Sequence, residues 1–161
     1  MIIEKYNFEF EVYDTIDELT TADADLLKHA RKITEIAYAP YSNFKVGASA
    51  LLQNGEIVHG TNQENASYPI GICAERVLLA SAAMLFPNEP IQTMAISYNS
   101  VNGVSNKPVS PCGMCRQSLA EFEQRTKHPI RLILSGLEGK IMIVKRSSML
   151  LPFGFSGEDM Q

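Results

Sequence analysis

The chain has 161 residues, 45% of them apolar and 20% charged, with a formal net charge of −4. That length suits one domain, spanning 1–161, which can bury roughly 70% of its unfolded surface without cross-links. The acidic balance argues against nucleic acid as partner, because phosphate backbones are bound through fields of Lys and Arg. No run of about 18 apolar residues offers a membrane span. No basic region followed by an apolar core opens the chain, so no signal peptide and a cytoplasmic location are expected. Three cysteines cannot pair off evenly, which favours metal or redox chemistry over disulfides.

Residues 1–20 read as an N-terminal extension. Within it Tyr6, Phe8, Phe10 and Val12 alternate with Lys5, Asn7, Glu9 and Glu11, the period of a half-buried strand over 5–13. Thr20 or Thr21 can cap a helix whose positive end suits Asp23 and Asp25. Its apolar stripe runs through Leu26, Ala30, Ile33 and Ala37, and Pro40 ends it. Asn54-Gly55 is a strong hairpin signal between strands at 46–53 and 56–62. A loop over 63–72 leads to a helix over 73–86, stopped before Pro87, and then to a short buried strand over 93–98. A polar loop over 99–110 precedes a second helix over 113–127, closed by His128-Pro129. Strands at 131–135 and 140–145 follow; the link between them is too short for a helical crossover, so they should be antiparallel. A tail over 147–161 carries Phe153 and Phe155. This order predicts an α/β fold with helices packed on a mixed sheet.

The chemistry gathers at two helix starts. Cys73-Ala74-Glu75 opens one helix, and Pro111-Cys112-Gly113-Met114-Cys115 opens the other; together they hold every cysteine. Helix N-termini lower thiol pKa values, which favours the thiolates a metal requires. Three thiolates fill three corners of a tetrahedral zinc and leave one open, the pattern of a catalytic site. Glu75 lies two residues from one ligand, so it can stand beside the open corner as a general base without binding the metal. Taken alone it would be a first-turn glutamate that complements the helix dipole. Arg76 follows closely enough to donate to a ligand sulfur, or it is a surface arginine. A lone Cys-x-x-Cys can also be a redox pair, but here it does not follow a first strand in the thioredoxin order. His29, His59 and His128 show no ligand spacing to one another and are expected to be structural or solvated. No Gly-rich phosphate loop is present.

A Cys-Ala-Glu helix start followed by Pro-Cys-x-x-Cys resembles the zinc-dependent cytidine deaminases. The likeness extends over 41–48, 62–66, 68–76, 110–117 and 151–159, from about residue 25 to the end, and points to that family's small homotetrameric branch with three cysteine ligands. It implies a three-layer fold, a mixed five-stranded sheet with helices on both faces; the N-terminal strand is an addition, expected to cover a sheet edge or a subunit contact. It implies one Zn2+ per chain on Cys73, Cys112 and Cys115, with Glu75 moving protons. Phe44 would line the base pocket, Asn62 and Glu64 would bind ribose hydroxyls, and Ala66 (through its backbone) and Tyr68 would complete the nucleoside site. Phe155, reaching over from a neighbouring subunit, would stack on the pyrimidine. For Phe44 and Phe155 the plainer role is core or interface packing. Lys45 stands where many relatives carry proline. The implied reaction is hydrolytic deamination of cytidine and deoxycytidine in pyrimidine salvage. Two rivals are the same chemistry on another aminated pyrimidine, such as a nucleoside antibiotic or a base in RNA, and a structural zinc module; the absence of a fourth ligand in the sequence counts against the module.

Overall fold

The Asn54-Gly55 signal resolves into the turn it predicts. In a computed structural model that describes residues 1–160, Gly55 adopts φ +88° and joins β2 (Phe44–Leu52) to β3 (Ile57–Thr61). Their antiparallel register runs from Gly47 opposite Thr61 to Leu51 opposite Ile57. The other strands are β1 (Glu11–Tyr13), β4 (Ile91–Ser100), β5 (Arg131–Leu134) and β6 (Ile141–Val144). They form one six-stranded mixed sheet in the order β1-β6-β5-β4-β2-β3. Only the β4–β5 pair is parallel, and the predicted antiparallel pairing of β5 with β6 is present. β4 and β5 are joined through a helix, as a parallel connection requires.

Helix α1 (Thr21–Ile33) covers one face of the sheet, while α2 (Ala74–Leu85) and α3 (Gly113–Thr126) cover the other. Strand alternation supplies both cores. Met94 and Ile96 of β4 and Leu132 and Leu134 of β5 face α2 and α3, while Ala95 and Ile133 face α1. Leu26, Leu27 and Ala30 of α1 are buried against Ile133, Ile141 and Ile143, at about 1.5–3 kcal/mol for each large side chain removed from water. Asp23 in the first turn of α1 also holds Arg131 of β5 in a two-pronged ion pair, at 2.6 and 2.9 Å.

Most strand ends shift by a residue or two, β4 for instance running Ile91–Ser100 where 93–98 was expected, and two elements depart further. The 5–13 strand pairs only over Glu11–Tyr13, opposite Ile143, Met142 and Ile141. Its partner β6 is four residues long, so residues 1–10 run without a ladder. The added strand does cover the β6 edge, and the Tyr6 hydroxyl donates to the Met149 carbonyl at 2.8 Å. Helix α1 gives way to a 3-10 turn, Thr34–Ile36, before reaching Ala37. The Thr34 hydroxyl donates to the Arg31 carbonyl, a bond that competes with the regular helix ladder. In the tail, the chain forms short 3-10 turns at Ser147–Leu150 and Gly157–Met160; Gln161 lies outside the described residues.

Candidate active site

The two predicted helix starts meet on the face of the sheet that carries α2 and α3. Cys73 is the residue capping α2, Cys112 caps α3, and Cys115 lies in the first turn of α3. Neither cap side chain bonds its helix, so both thiols are free to face a common point. Gly60 of β3 brings α2 to this place: a β-carbon there would lie 2.6 Å from the Leu78 nitrogen and would also strike the Ala74 carbonyl. Arg116 holds the other arm, donating from Nε to the Pro111 carbonyl at 2.9 Å and from Nη1 to the Leu150 carbonyl at 3.1 Å.

The three Sγ atoms lie within 4.8 Å of one another. Cys73 and Cys112 are 3.8 Å apart, and Cys112 and Cys115 are 3.5 Å apart. Sulfur atoms about 2.3 Å from a tetrahedral zinc would be separated by about 3.8 Å, so the trio fits that ion. Among the described residues no other group of three His, Cys, Asp or Glu side chains converges in this way, and no fourth donor closes the shell. The hydrogen bond from Cys115 draws Cys73 down to about 6, and the same bond, then burial, pushes Cys115 up.

Glu75 is 5% exposed, at the foot of the same site. Burial raises its carboxyl above the usual range, against the opposing pull of its own backbone N–H and the Cys115 thiol. A group so poised can accept a proton and return it. Arg76 is half-buried, and its charge helps lower Cys73, but among the described residues it makes no hydrogen bond to a sulfur.

Beside the cysteines opens a cavity of about 460 Å3, lined by Phe44, Asn62, Glu64, Tyr68, Cys73, Glu75 and Cys112, with Ser42, Ile96, Val109 and Met114 among its other walls. The 63–72 loop is pinned at its ends by paired backbone bonds between Gln63 and Ile72, at 2.9 and 3.0 Å, which set Asn62 and Glu64 next to Cys73. Phe44 is stacked on Tyr98 with ring centres 4.7 Å apart. The Asn62 side chain accepts from the Val46 N–H at 2.7 Å and donates to the Phe44 carbonyl at 2.9 Å, so it shapes the pocket wall as well as facing it. Glu64 accepts from the amides of Tyr41 and Ser42 and from the Ser42 hydroxyl. Burial pushes the Glu64 carboxyl up, but these three donors outweigh it and hold it below the usual range. Asn43, in the left-handed region at φ +54°, makes the turn that presents those donors.

Two expected residues stand apart. Ala66 is exposed and does not line the cavity. Phe155 is 60% exposed on the outer side of α3, where Gln117 donates to its carbonyl at 2.8 Å. It does not enter the cavity of its own chain. Ser42 and Arg116 lie within the matching stretches, but neither carries a chemical signature by spacing that would single it out.

Residues 20–128 match the family model for the cytidine and deoxycytidylate deaminase zinc-binding region. The chain belongs to that family. It is 39% identical to a cytidine deaminase of Halalkalibacterium halodurans over 135 residues, which cover 84% of this chain and 95% of that protein. A cytidine deaminase of Sporosarcina psychrophila is 37% identical, over 84% of this chain and 92% of the other. The structure is similar to the crystal structure of cytidine deaminase from Burkholderia pseudomallei, with a TM-score of 0.71 and 36% identity, covering 85% of this chain and 100% of that one. Family membership and the geometry agree on a zinc site at Cys73, Cys112 and Cys115.

Proposed function

We propose that this family member hydrolyses the exocyclic amine of free cytidine and deoxycytidine, giving uridine or deoxyuridine and ammonia. The observation that carries the reading is the buried Glu75 carboxyl beside three converging thiols, opening into a cavity of nucleoside size. Zinc held by Cys73, Cys112 and Cys115 would supply a Lewis acid that makes water a nucleophile at neutral pH. Glu75 takes a proton from the attacking water and delivers it to N3 of the ring. It then takes the proton of the hydroxyl now bonded to C4 and passes it to the amine, so that the C4–N bond breaks, ammonia leaves and the C4 carbonyl forms. Phe44 bounds the base, Asn62 and Glu64 receive the sugar, and Tyr68 closes the mouth. A carboxylate set to accept from a sugar hydroxyl favours a free nucleoside over a base in a polymer.

The working unit is a homotetramer with shared sites. Support comes from exposed apolar side chains, Tyr68 and Met114 at the cavity and Tyr41 and Ile70 next to Tyr68, and from Phe155, which needs a neighbour's cavity if it is to cover a base. The reaction belongs to pyrimidine salvage in the cytoplasm; among the described residues no helix is long and apolar enough to cross a membrane. Arg76 and the two helix N-termini offset the charge of three thiolates. The test is Glu75→Gln, with zinc content and cytidine turnover measured on the same sample. Zinc should stay at one per chain while turnover falls by at least about a hundredfold, the scale of a lost general acid–base. Turnover near the wild-type rate would overturn the assignment.

A further inference from the structure

The sheet separates the cysteine site from a second pair of metal-binding side chains. His29 on α1 and His59 on β3 are far apart in sequence, yet their ring centres lie 5.7 Å apart. Nothing in the deaminase chemistry uses them. We propose that His29 and His59 form a second metal site, a two-imidazole chelate for a first-row transition dication such as Zn2+, Cu2+ or Ni2+, which staples α1 to the edge strand β3.

The spacing fits a shared ion. With metal–nitrogen bonds of about 2.0–2.1 Å, and each nitrogen about 1.1 Å from its ring centre, a tetrahedral angle puts the two centres about 5.2 Å apart. The remaining half ångström is within the reach of a small side-chain rotation. The His59 ring is already held as a ligand ring is. Its Nδ1 lies 2.8 Å from the hydroxyl of Ser49, a buried residue of β2, which leaves Nε2 as the outward nitrogen. Partial burial, then the charge of His29, lowers the His59 pKa.

Both rings open onto a hollow of about 300 Å3 that Ile33, Ile36, Lys32 and Glu35 also line, with room for an ion and its remaining waters. Glu35 supplies an acidic group on the rim; Lys32 opposes it, and the Lys45 ammonium is engaged at the Glu35 carbonyl, 3.1 Å away. Two protein ligands make a labile site, in contrast to the three thiolates across the sheet. Because the ligands come from different elements, the ion binds only the folded chain and stabilises it in proportion to its free concentration.

The experiment titrates the zinc-loaded full chain with NiCl2, by calorimetry and by thermal melting, with zinc content followed throughout. The wild type should bind one nickel per chain beyond its zinc, with a rise in Tm. His29→Gln and His59→Gln should each weaken that binding at least about tenfold and abolish the Tm rise. His128→Gln should keep both. His59→Asn replaces His59→Gln if the longer amide unsettles the contact with Ser49. No nickel beyond the zinc in the wild type, or binding that survives loss of either histidine, overturns the proposal. Cytidine turnover tests the other site and has no bearing on this outcome.

Discussion

Glu123 is a buried anion that serves structure, and removing it should be costly. The side chain of this α3 residue is 2% exposed. Its Oε1 accepts from the Ile130 N–H at 2.9 Å, the Ser147 N–H at 2.9 Å and the Ser147 hydroxyl at 2.7 Å; Oε2 accepts from Arg146 Nε at 3.2 Å. It thus fastens the start of β5 and the turn after β6 to the helix that carries Cys115. Glu123→Ala strands the Ile130 N–H and the Ser147 hydroxyl, on residues with no exposed surface, while the Ser147 N–H keeps the Ile130 carbonyl at 2.8 Å. Each orphaned buried group costs about 1–3 kcal/mol, and water entering the vacated space recovers part of it, so a net loss of about 3 kcal/mol is expected. Against a total stability of about 5–15 kcal/mol that is a large fraction. Urea unfolding at fixed protein concentration measures it. The acid limb supplies a second reading. Burial pushes this carboxyl up, but its bonds to Ile130, Ser147, Ser148 and Arg146 win and hold it below the usual range. A depressed folded-state pKa gives stability that is whole above the unfolded value, near 4.5, and is lost as pH falls through the folded value. Wild type should therefore lose more stability than Glu123→Ala between neutral pH and the region below 4.5. A variant within about 1 kcal/mol of wild type at pH 7, with the same acid slope, would refute the account.

Three further outcomes follow from the site. Ser42→Ala removes one of the three donors that orient Glu64; the partly exposed bond is worth about 1 kcal/mol, so KM for cytidine should rise about fivefold with kcat little changed. Steady-state kinetics on 2′,3′-dideoxycytidine should show no such rise, and an equal rise on both substrates would mean Ser42 acts elsewhere. Gly60→Ala forces α2 away from β3, with an overpacking cost of about 1–3 kcal/mol and weaker zinc retention against a chelator; unchanged retention would show that the close approach does not set the position of Cys73. Removal of residues 150–161 takes away Phe155 and the Leu150 carbonyl that Arg116 holds, and sedimentation with cytidine turnover should show both assembly and activity reduced. If both are intact, Phe155 does not serve a neighbour's site.

What the sequence made legible is what local chemistry carries. Cys73 and Cys112 had to be ligands and helix starts at once, and one stretch of sequence states both. Asn54-Gly55 and the alternating apolar positions of β4 and β5 likewise need no distant partner to be read. Long-range placement was hidden. Glu123 reads as one more polar residue of an α-helix, because its partners Ile130 and Ser147 arrive from a strand start and a turn beyond the next two strands. His29 and His59 lack ligand spacing because their meeting is set by how α1 crosses β3, which no spacing records. The N-terminal alternation led to a strand but not to its buried face: Tyr6, Phe8, Phe10 and Val12 all stay exposed while Tyr13 packs on the core, because a strand pairs only as far as its neighbour extends, and β6 extends four residues.

The placement of the thiols also explains how a dication with three anionic ligands can still activate water. The ligand set carries a net charge of −1, which by itself would blunt the ion. Each helix N-terminus contributes about +0.5 of an elementary charge, and both α2 and α3 begin at a ligand, so the two ends together restore about one unit. Arg76 adds to this at longer range, through its field on Cys73 and without a hydrogen bond to sulfur. The compensation is therefore built mostly into the backbone, where no single side-chain replacement can remove it. Glu75 is then left as the one buried carboxyl at the cavity floor, in a setting where protonation is easier than in water. The same helix start that gives Cys73 its thiolate character sets Glu75 two residues further into α2, so one element positions both Cys73 and the proton carrier proposed above.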